Sequence, residues 1–309
     1  MKFTPKQFNE LKISYDKGLN LTELVSMWGY PIDFETISII YELQAGTYTK
    51  HAIQNTEYID IFTSEIVSVL GQYLNNNMSI LDCGTGEGTT LIPILKKLKI
   101  PSGYAIDASI SRVLWAQQNA TKAKIDLNLA VSDLGQLPLG NNSVDAVITV
   151  HALEPNGGRE IELIQELGRV ARKYVFLIEP DFENASAEQK IRMKKLSYIT
   201  GLDAAIKENG FKILVKIPIK NNSNELNAAS ITVVQTNEVN QQNSDLTWTD
   251  PIYKSKLNPY LNGLRSFNGL WYPTVSNIPL LRKADTQYLL SPPHDIKSMK
   301  DLKSSSCSI

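Results

Sequence analysis

Residues 78–88, Met78-Ser79-Ile80-Leu81-Asp82-Cys83-Gly84-Thr85-Gly86-Glu87-Gly88, read as a short apolar strand entering a glycine turn. The helical stretch TTLIPILKKL (89–98) follows directly. Downstream the same texture repeats. GYAID (103–107) leads into SISRVLWAQQNA (109–120), and IDLNLAV (125–131), SVDAVITV (143–150) and KYVFLIEP (173–180) supply three more strands. REIELIQELGRVA (159–171) lies between the last two, with Ile161, Leu163, Ile164, Leu167 and Val170 broadly on one side. Strand and helix in alternation, with near-continuously apolar strands, specify a parallel sheet covered on both faces. The pattern then changes. FKILVKIPI (211–219) and ASITVVQT (229–236) are separated only by NNSNELNA, which predicts an antiparallel hairpin.

Upstream, residues 1–75 read as a helical extension. EYIDIFTSEIVSVLGQYL (57–74) carries Ile59, Phe62, Ile66, Val69 and Leu70 at helical spacing, with Thr56 before it. DFETISIIYELQAGTYT (33–49) reads as another helix capped by Asp33. The main unit is expected over 76–236, a polar linker over 237–248, a small β-rich module over 249–290 and a tail over 291–309. The module's proline, glycine and aromatic residues recur every few positions, as in short strands and turns.

The chain has 309 residues, enough for about two domains. Its 31 Lys and Arg against 32 Asp and Glu remove the electrostatic reason to expect a nucleic-acid partner. Two cysteines, Cys83 and Cys307, form neither a disulfide framework nor a four-cysteine zinc site. No apolar run reaches membrane-spanning length and the start is polar, so a cytoplasmic location is the expectation, with self-association left open.

Ligands of doubly wound folds bind at the carboxyl ends of the strands, near the point where strand order reverses. Glycines there allow positive φ and close approach of backbone to a ligand. A dinucleotide fingerprint would place its third glycine where Thr89 stands, which weakens an NAD-dependent oxidoreductase reading. Asp107 ends the second strand, where it can accept from two ribose hydroxyls or cap the next helix. Ser132-Asp133 ends the third, suited to an adenine amino group or to a turn. Together the three strand ends favour a nucleoside.

On ILDCGTGEG, YAIDAS, VSDLGQLPLGNNSVDAVITVHALEP and ELGRVARKYVFLIEPD, residues 78–181 resemble the class I S-adenosylmethionine-dependent methyltransferases that act on small molecules. The resemblance implies a doubly wound, Rossmann-like α/β sheet of seven strands, the last antiparallel. It implies that Asp82, Gly84 and Gly86 line the methionine part of S-adenosylmethionine and that Asp107 holds the ribose. Ala108 would pack near adenine, with Asp133 and Leu134 at its edge. Tyr41, Gln44 and Tyr48 are lid candidates; Tyr41 and Tyr48 stand two helical turns apart, so one face would present both, over the cofactor or simply against the sheet. His151 would emerge near the transferable methyl as a general base, with Glu154 to orient it or serve instead; the alternative is a loop histidine bonded to backbone. Cys83 reads as a small residue beneath the cofactor.

Residues 249–281 resemble a small zinc-ribbon-like module. Asp250-Pro251-Ile252-Tyr253 stands at the first knuckle and Asn268-Gly269 at the second, with Tyr272-Pro273 and Ile278-Pro279-Leu280 after them. Its cysteines are replaced, so a metal-free module packed by Tyr253, Phe267, Trp271 and Tyr272 is expected, covering the cleft or a subunit contact. The function implied is methyl transfer to a small-molecule acceptor, with a sugar or sugar nucleotide of surface-polysaccharide synthesis favoured. A non-catalytic nucleoside-binding scaffold of the same fold is the alternative.

Overall fold

The computed structural model describes residues 3–222, 224–236 and 246–290. Most of the expected linker, the expected tail and Cys307 lie outside them. Five helices come first: α1 (Pro5–Asp16), α2 (Leu21–Met27), α3 (Phe34–Leu43), α4 (Thr47–Gln54) and α5 (Thr56–Leu70). Thr4 and Gln7 form a capping box at α1, with Pro5 in the first turn, and Asp33 caps α3 by accepting from the Thr36 amide. The single helix expected over 33–49 is two. Gly46 adopts φ +93°, a left-handed conformation that ends one helix and re-aims the next. Thr56 is the first residue of α5 and not its cap, since Asn55 precedes the helix without a side-chain bond.

The sheet is built from β1 (Ile80–Cys83), β2 (Ser102–Asp107), β3 (Asp126–Val131), β4 (Val144–Val150), β5 (Ala171–Pro180), β6 (Lys212–Pro218) and β7 (Ala229–Gln235). Its order is β3-β2-β1-β4-β5-β7-β6, with β7 antiparallel to both neighbours. This is the doubly wound, Rossmann-like sheet of seven strands that the sequence implied. Five more helices connect it: α6 (Leu91–Leu98), α7 (Ile110–Ala123), α8 (Glu160–Val170), α9 (Ala187–Lys195) and α10 (Leu202–Glu208).

Alternation along each strand divides the core between two faces. Ile80, Ala105, Leu129, Ile148 and Phe176 point to the side of α5, α6 and α7. Leu81, Ile106, Ala130, Val147 and Leu177 point to the side of α8 and α10. Both faces are covered, which is why the central strands are apolar at nearly every position. Phe3, Leu11, Leu21, Val25 and Ile40 form a separate small core within the N-terminal helices. No helix among the described residues is long and apolar enough to cross a membrane.

The C-terminal module is a five-stranded antiparallel sheet of β8 (Leu257–Tyr260), β9 (Gly263–Ser266), β10 (Leu270–Val275), β11 (Ile278–Pro279) and β12 (Gln287–Tyr288). Leu257, Leu270, Tyr272 and Leu281 join the core on the α8 side of the main sheet. Leu280 bridges Val131 in parallel, and the Leu281 amide donates to the Val131 carbonyl at 2.7 Å, so the module covers the edge strand β3. Of the aromatics expected to hold it, Tyr272 is fully buried and the Trp271 indole donates to the Tyr260 carbonyl. Tyr253 and Phe267 are not part of its packing: they are 66% and 92% exposed, each at a turn that leaves its ring in solvent.

At the first knuckle position the buried Asp250 carboxylate accepts from the amides of Ile252, Tyr253 and Ser255 and from the Ser255 hydroxyl. A carboxylate thus gathers the inward-pointing amides of this loop. Hydrogen bonds to a charged group contribute about 1.5–3 kcal/mol each, and amides left unpaired cost as much. Asp250→Ala is therefore expected to destabilise the protein by about 3 kcal/mol or more in urea unfolding followed by tryptophan fluorescence. Wild-type stability would mean that the loop is held by its apolar neighbours instead.

Candidate functional site

Strand order reverses between β1 and β4, so the turn after β1 and the loop after β4 diverge around a cleft. The two approach closely below it. A Cβ at Gly84, whose φ is +81°, would lie 2.3 Å from the Ala152 Cβ, so only glycine fits there. A cavity of about 140 Å³ opens above this contact. Its walls bring together Gly84, Gly86, Asp107, Ala108, Asp133, Leu134, His151, Tyr41 and Tyr48, nine of the residues singled out in the sequence.

Three others lie elsewhere. Asp82 is buried within β1 beneath the turn, where burial pushes its carboxyl up to about 7. Gln44 ends α3 and offers its carbonyl to the Thr47 hydroxyl at 2.7 Å. Glu154 stands behind His151, outside the wall. Cys83 is fully buried at the end of β1, and burial raises its thiol pKa, so it is a packing residue.

Asp107 accepts from the Gly86 amide at 2.8 Å and the Ser109 amide at 2.9 Å. It therefore fixes the glycine turn and the entry to α7, while Ser109 caps that helix through the Arg112 amide. Burial raises the Asp107 pKa, and Arg112 and the two amides pull against that rise. An ionised carboxylate has about four lone-pair positions, so two amides leave acceptor capacity toward the cavity. Asp133 likewise accepts from the Gly135 amide at 2.9 Å while lining the cavity.

His151 takes φ +51°, a left-handed conformation unusual for a residue with a side chain. The surroundings hold it there: its amide donates to the Ile178 carbonyl, and the next three amides, Ala152, Leu153 and Glu154, donate to the buried Glu179 carboxylate. The imidazole Nδ1 lies 2.8 Å from the Glu154 carboxylate, which also accepts from the Asn227 amide group at 3.1 Å. Burial opposes a charge on His151, yet the bond and charge of Glu154, with Glu179 behind, raise its pKa. With Nδ1 engaged by the carboxylate, Nε2 is the nitrogen available to exchange a proton.

Two residues escaped the sequence reading. Glu87, 1% exposed within the glycine turn, accepts from the amides of Gly46 (2.8 Å), Tyr48 (3.3 Å) and Thr49 (2.7 Å) at the start of α4. Arg112, on the buried stripe of α7, places its guanidinium against the rings of Tyr41 and Tyr48, 4.8 and 4.3 Å from their centroids. Tyr41 and Tyr48 meet there although they belong to different helices, so the reason given for their pairing was wrong while the pairing holds. A charge in a tight glycine turn and a charge at a helix position flanked by Ser109, Val113 and Ala116 were the available signals.

Residues 80–173 match the family described as a methyltransferase domain. A stretch of 73 residues is 33% identical to a release factor glutamine methyltransferase of Flavobacterium psychrophilum. That match takes in 24% of this chain and 26% of that protein, so the chain spans about a quarter of the curated relative. Among solved structures, magnesium protoporphyrin IX methyltransferase from Synechocystis with bound S-adenosylhomocysteine is similar at 22% identity and a TM-score of 0.46, covering 57% of this chain and 83% of that one. A SAM-dependent methyltransferase from Aquifex aeolicus is similar at 20% identity and 0.45, covering 60% and 95%.

Glu87→Ala removes the acceptor for three amides that fix the start of α4. Hydrogen exchange at Gly46, Tyr48 and Thr49 is expected to quicken on the order of a hundredfold, equivalent to ~3 kcal/mol. Unchanged exchange would mean that ring packing alone holds α4 in place. Within this architecture, the stretch that matches the methyltransferase-domain family, residues 80–173, runs from β1 into the start of β5.

Proposed function

We propose that the chain transfers a methyl group from S-adenosylmethionine to a small-molecule acceptor, with 76–236 as the cofactor-binding domain. The observation that carries this reading is the convergence of Gly84, Gly86, Asp107 and Asp133 on one cavity at the switch point of the sheet. The donor set fits the cofactor's chemistry: a carboxylate for vicinal hydroxyls at Asp107, a carboxylate and an apolar residue for an adenine edge at Asp133 and Leu134, and glycine backbone for the amino-acid half. Size adds a requirement. Cavities that hold drug-sized ligands usually enclose ~300–1,000 Å³, more than the 140 Å³ present here. Binding is therefore expected to draw α3 and α4, with the rings of Tyr41 and Tyr48, back from the cavity.

When bound, the cofactor supplies a methyl already activated by a sulfonium, so the chain's task is alignment and, for a hydroxyl acceptor, removal of a proton. His151 is assigned that proton, through Nε2, with Glu154 holding the ring and Asn227 and Glu179 holding the loop. A sugar or sugar nucleotide is the acceptor class we favour. His151 and Asn156 on the cavity wall, an imidazole and a carboxamide, support it as groups suited to hydroxyls. Residues 249–281 are read as a metal-free, ribbon-like brace for the site. Next to them, Arg282 donates to the Ala108 carbonyl at 3.0 Å and pairs with Asp285.

Calorimetry with S-adenosylhomocysteine tests the cofactor assignment. The wild type is expected to bind, and Asp107→Ala in a folded protein to bind at least about tenfold more weakly. Equal affinity would reduce Asp107 to a turn residue. Binding without methyl transfer across a panel of sugars, sugar nucleotides and other small hydroxyl and amine acceptors would favour the scaffold alternative.

The dyad makes a pH prediction. His151 acts as a base only when neutral, so its raised pKa sets the acid limb of kcat above the ordinary imidazole value of ~6.5. Glu154→Gln removes the charge that stabilises imidazolium. The limb should then move to lower pH and the plateau of kcat fall, with cofactor affinity nearly intact. A limb that stays in place would remove His151 from the proton transfer.

A further inference from the structure

We propose that Arg112 is an oxyanion subsite of this cavity, a residue that reads a carboxylate or phosphate on the bound ligand; this rests on the methyl-transfer reading above. The guanidinium lines the cavity, and the residue is only 6% exposed. Its Nε has no hydrogen-bond partner. It lies over the glycine turn, where a Cβ on Gly86 would come within 3.2 Å of its Nη2. The two carboxylates whose charge it feels bond amides and, among the described residues, form no ion pair with it: Asp107 accepts from Gly86 and Ser109, and Glu87 from the start of α4.

A buried guanidinium with five N–H groups and no ion pair among the described residues is costly, because charge is withdrawn from water without a matching hydrogen-bonded anion. The rings of Tyr41 and Tyr48 compensate in part, through the attraction of a cation to an aromatic face. That attraction is weaker and less directional than a paired fork of N–H donors on an oxyanion. A ligand that displaces the tyrosines and presents such a group would therefore exchange a partial partner for a full one. The subsite adjoins Asp107, which is assigned the ribose, and faces the cavity shared with His151. Two groups have the required chemistry: the α-carboxylate of the cofactor's amino-acid half, and a carboxylate or phosphate on the acceptor.

Calorimetry on wild type, Arg112→Met and Arg112→Gln separates them, with circular dichroism establishing that each variant folds. The first pair of probes is S-adenosylhomocysteine and its decarboxylated analogue, which differ only in the carboxylate. If the cofactor is the source, the wild type should prefer the carboxylated form by ~10- to 100-fold, and both variants should lose most of that preference. If the acceptor is the source, the preference should be the same in all three proteins. Inorganic phosphate, titrated with and without S-adenosylhomocysteine, should then bind the wild type at least about tenfold more tightly than the variants. Equal preference together with equal phosphate affinity would overturn the proposal. A wild type that ignores S-adenosylhomocysteine but binds phosphate through Arg112 would overturn the methyl-transfer reading while sustaining the subsite.

Discussion

The carboxylate of Glu87 is the point on which the site depends. It belongs to the glycine turn that follows β1, yet its bonds go to the first amides of α4, 38 to 41 residues earlier in the chain. The turn and α4 are therefore joined by one side chain. The bond type suits its place, because a helix begins with unpaired amides and a partial positive charge, and an anion satisfies both. Asn119 tightens the junction, donating to the Glu87 carbonyl and the Thr49 hydroxyl at 2.9 and 2.8 Å. Tyr48 is carried on the backbone that Glu87 holds, and so its ring is delivered to Arg112 from a defined direction. The aromatic wall of the cavity is a consequence of the glycine turn's chemistry as much as of the helices that bear it.

The opposite wall is built by the same device with different residues. Glu179 ends a fully buried run of β5 and accepts the three amides that follow His151, while burial pushes its carboxyl up to about 7. The loop after β4 is thus gathered around a buried acceptor, and the left-handed backbone at His151 is the shape that gathering imposes. Backbone strain of this kind costs of order 1–3 kcal/mol and persists only where neighbours overdetermine it. Here they do: Ala152 lies against Gly84, the His151 amide is bonded to β5, and Glu154 returns to the imidazole. Two carboxylates, one on each side of the switch point, fix the two loops between which a ligand must fit.

The sheet was legible because its evidence is repeated many times. Five apolar strands alternate with helices, and the consequence of one misplaced boundary is small. Seven of the cavity's nine foreseen residues share that advantage, since they sit at strand ends or in the turn, while Tyr41 and Tyr48 come from helices. Positions set by long-range pairing were not legible. Gln44 looked like a lid residue because the helix was expected to continue, and Gly46 ends it. Asp82 looked like a ligand contact from its place before the glycines, but it lies buried within β1 and does not line the cavity. Glu87 and Arg112 were passed over because their roles depend on partners 38 or more residues away. Phe267 shows the converse error: an aromatic in a compact module was assumed to pack, yet turn geometry leaves it in solvent.

How the site admits a ligand follows from what kind of contact fastens each part. The sheet and its covering helices share two continuous apolar cores, whose disruption would cost much of the fold's stability. The N-terminal helices keep their own small core, separate from both. They meet the domain through directional bonds instead: Glu87 to α4, Glu42 to the Ser111 amide, Asn119 to Thr49, and the ring contacts on Arg112. Water can replace such bonds at a net cost of about 1 kcal/mol each, whereas it cannot replace a packed core. The N-terminal helices are accordingly the part of the molecule fastened by exchangeable contacts, with a small core of their own. The C-terminal module is the contrasting case, because it contributes Leu257, Leu270, Tyr272 and Leu281 to the domain's own core and adds backbone pairing at β3. One appendage keeps its apolar residues in a core of its own and the other shares them with the domain, and the strength of each attachment follows from that difference.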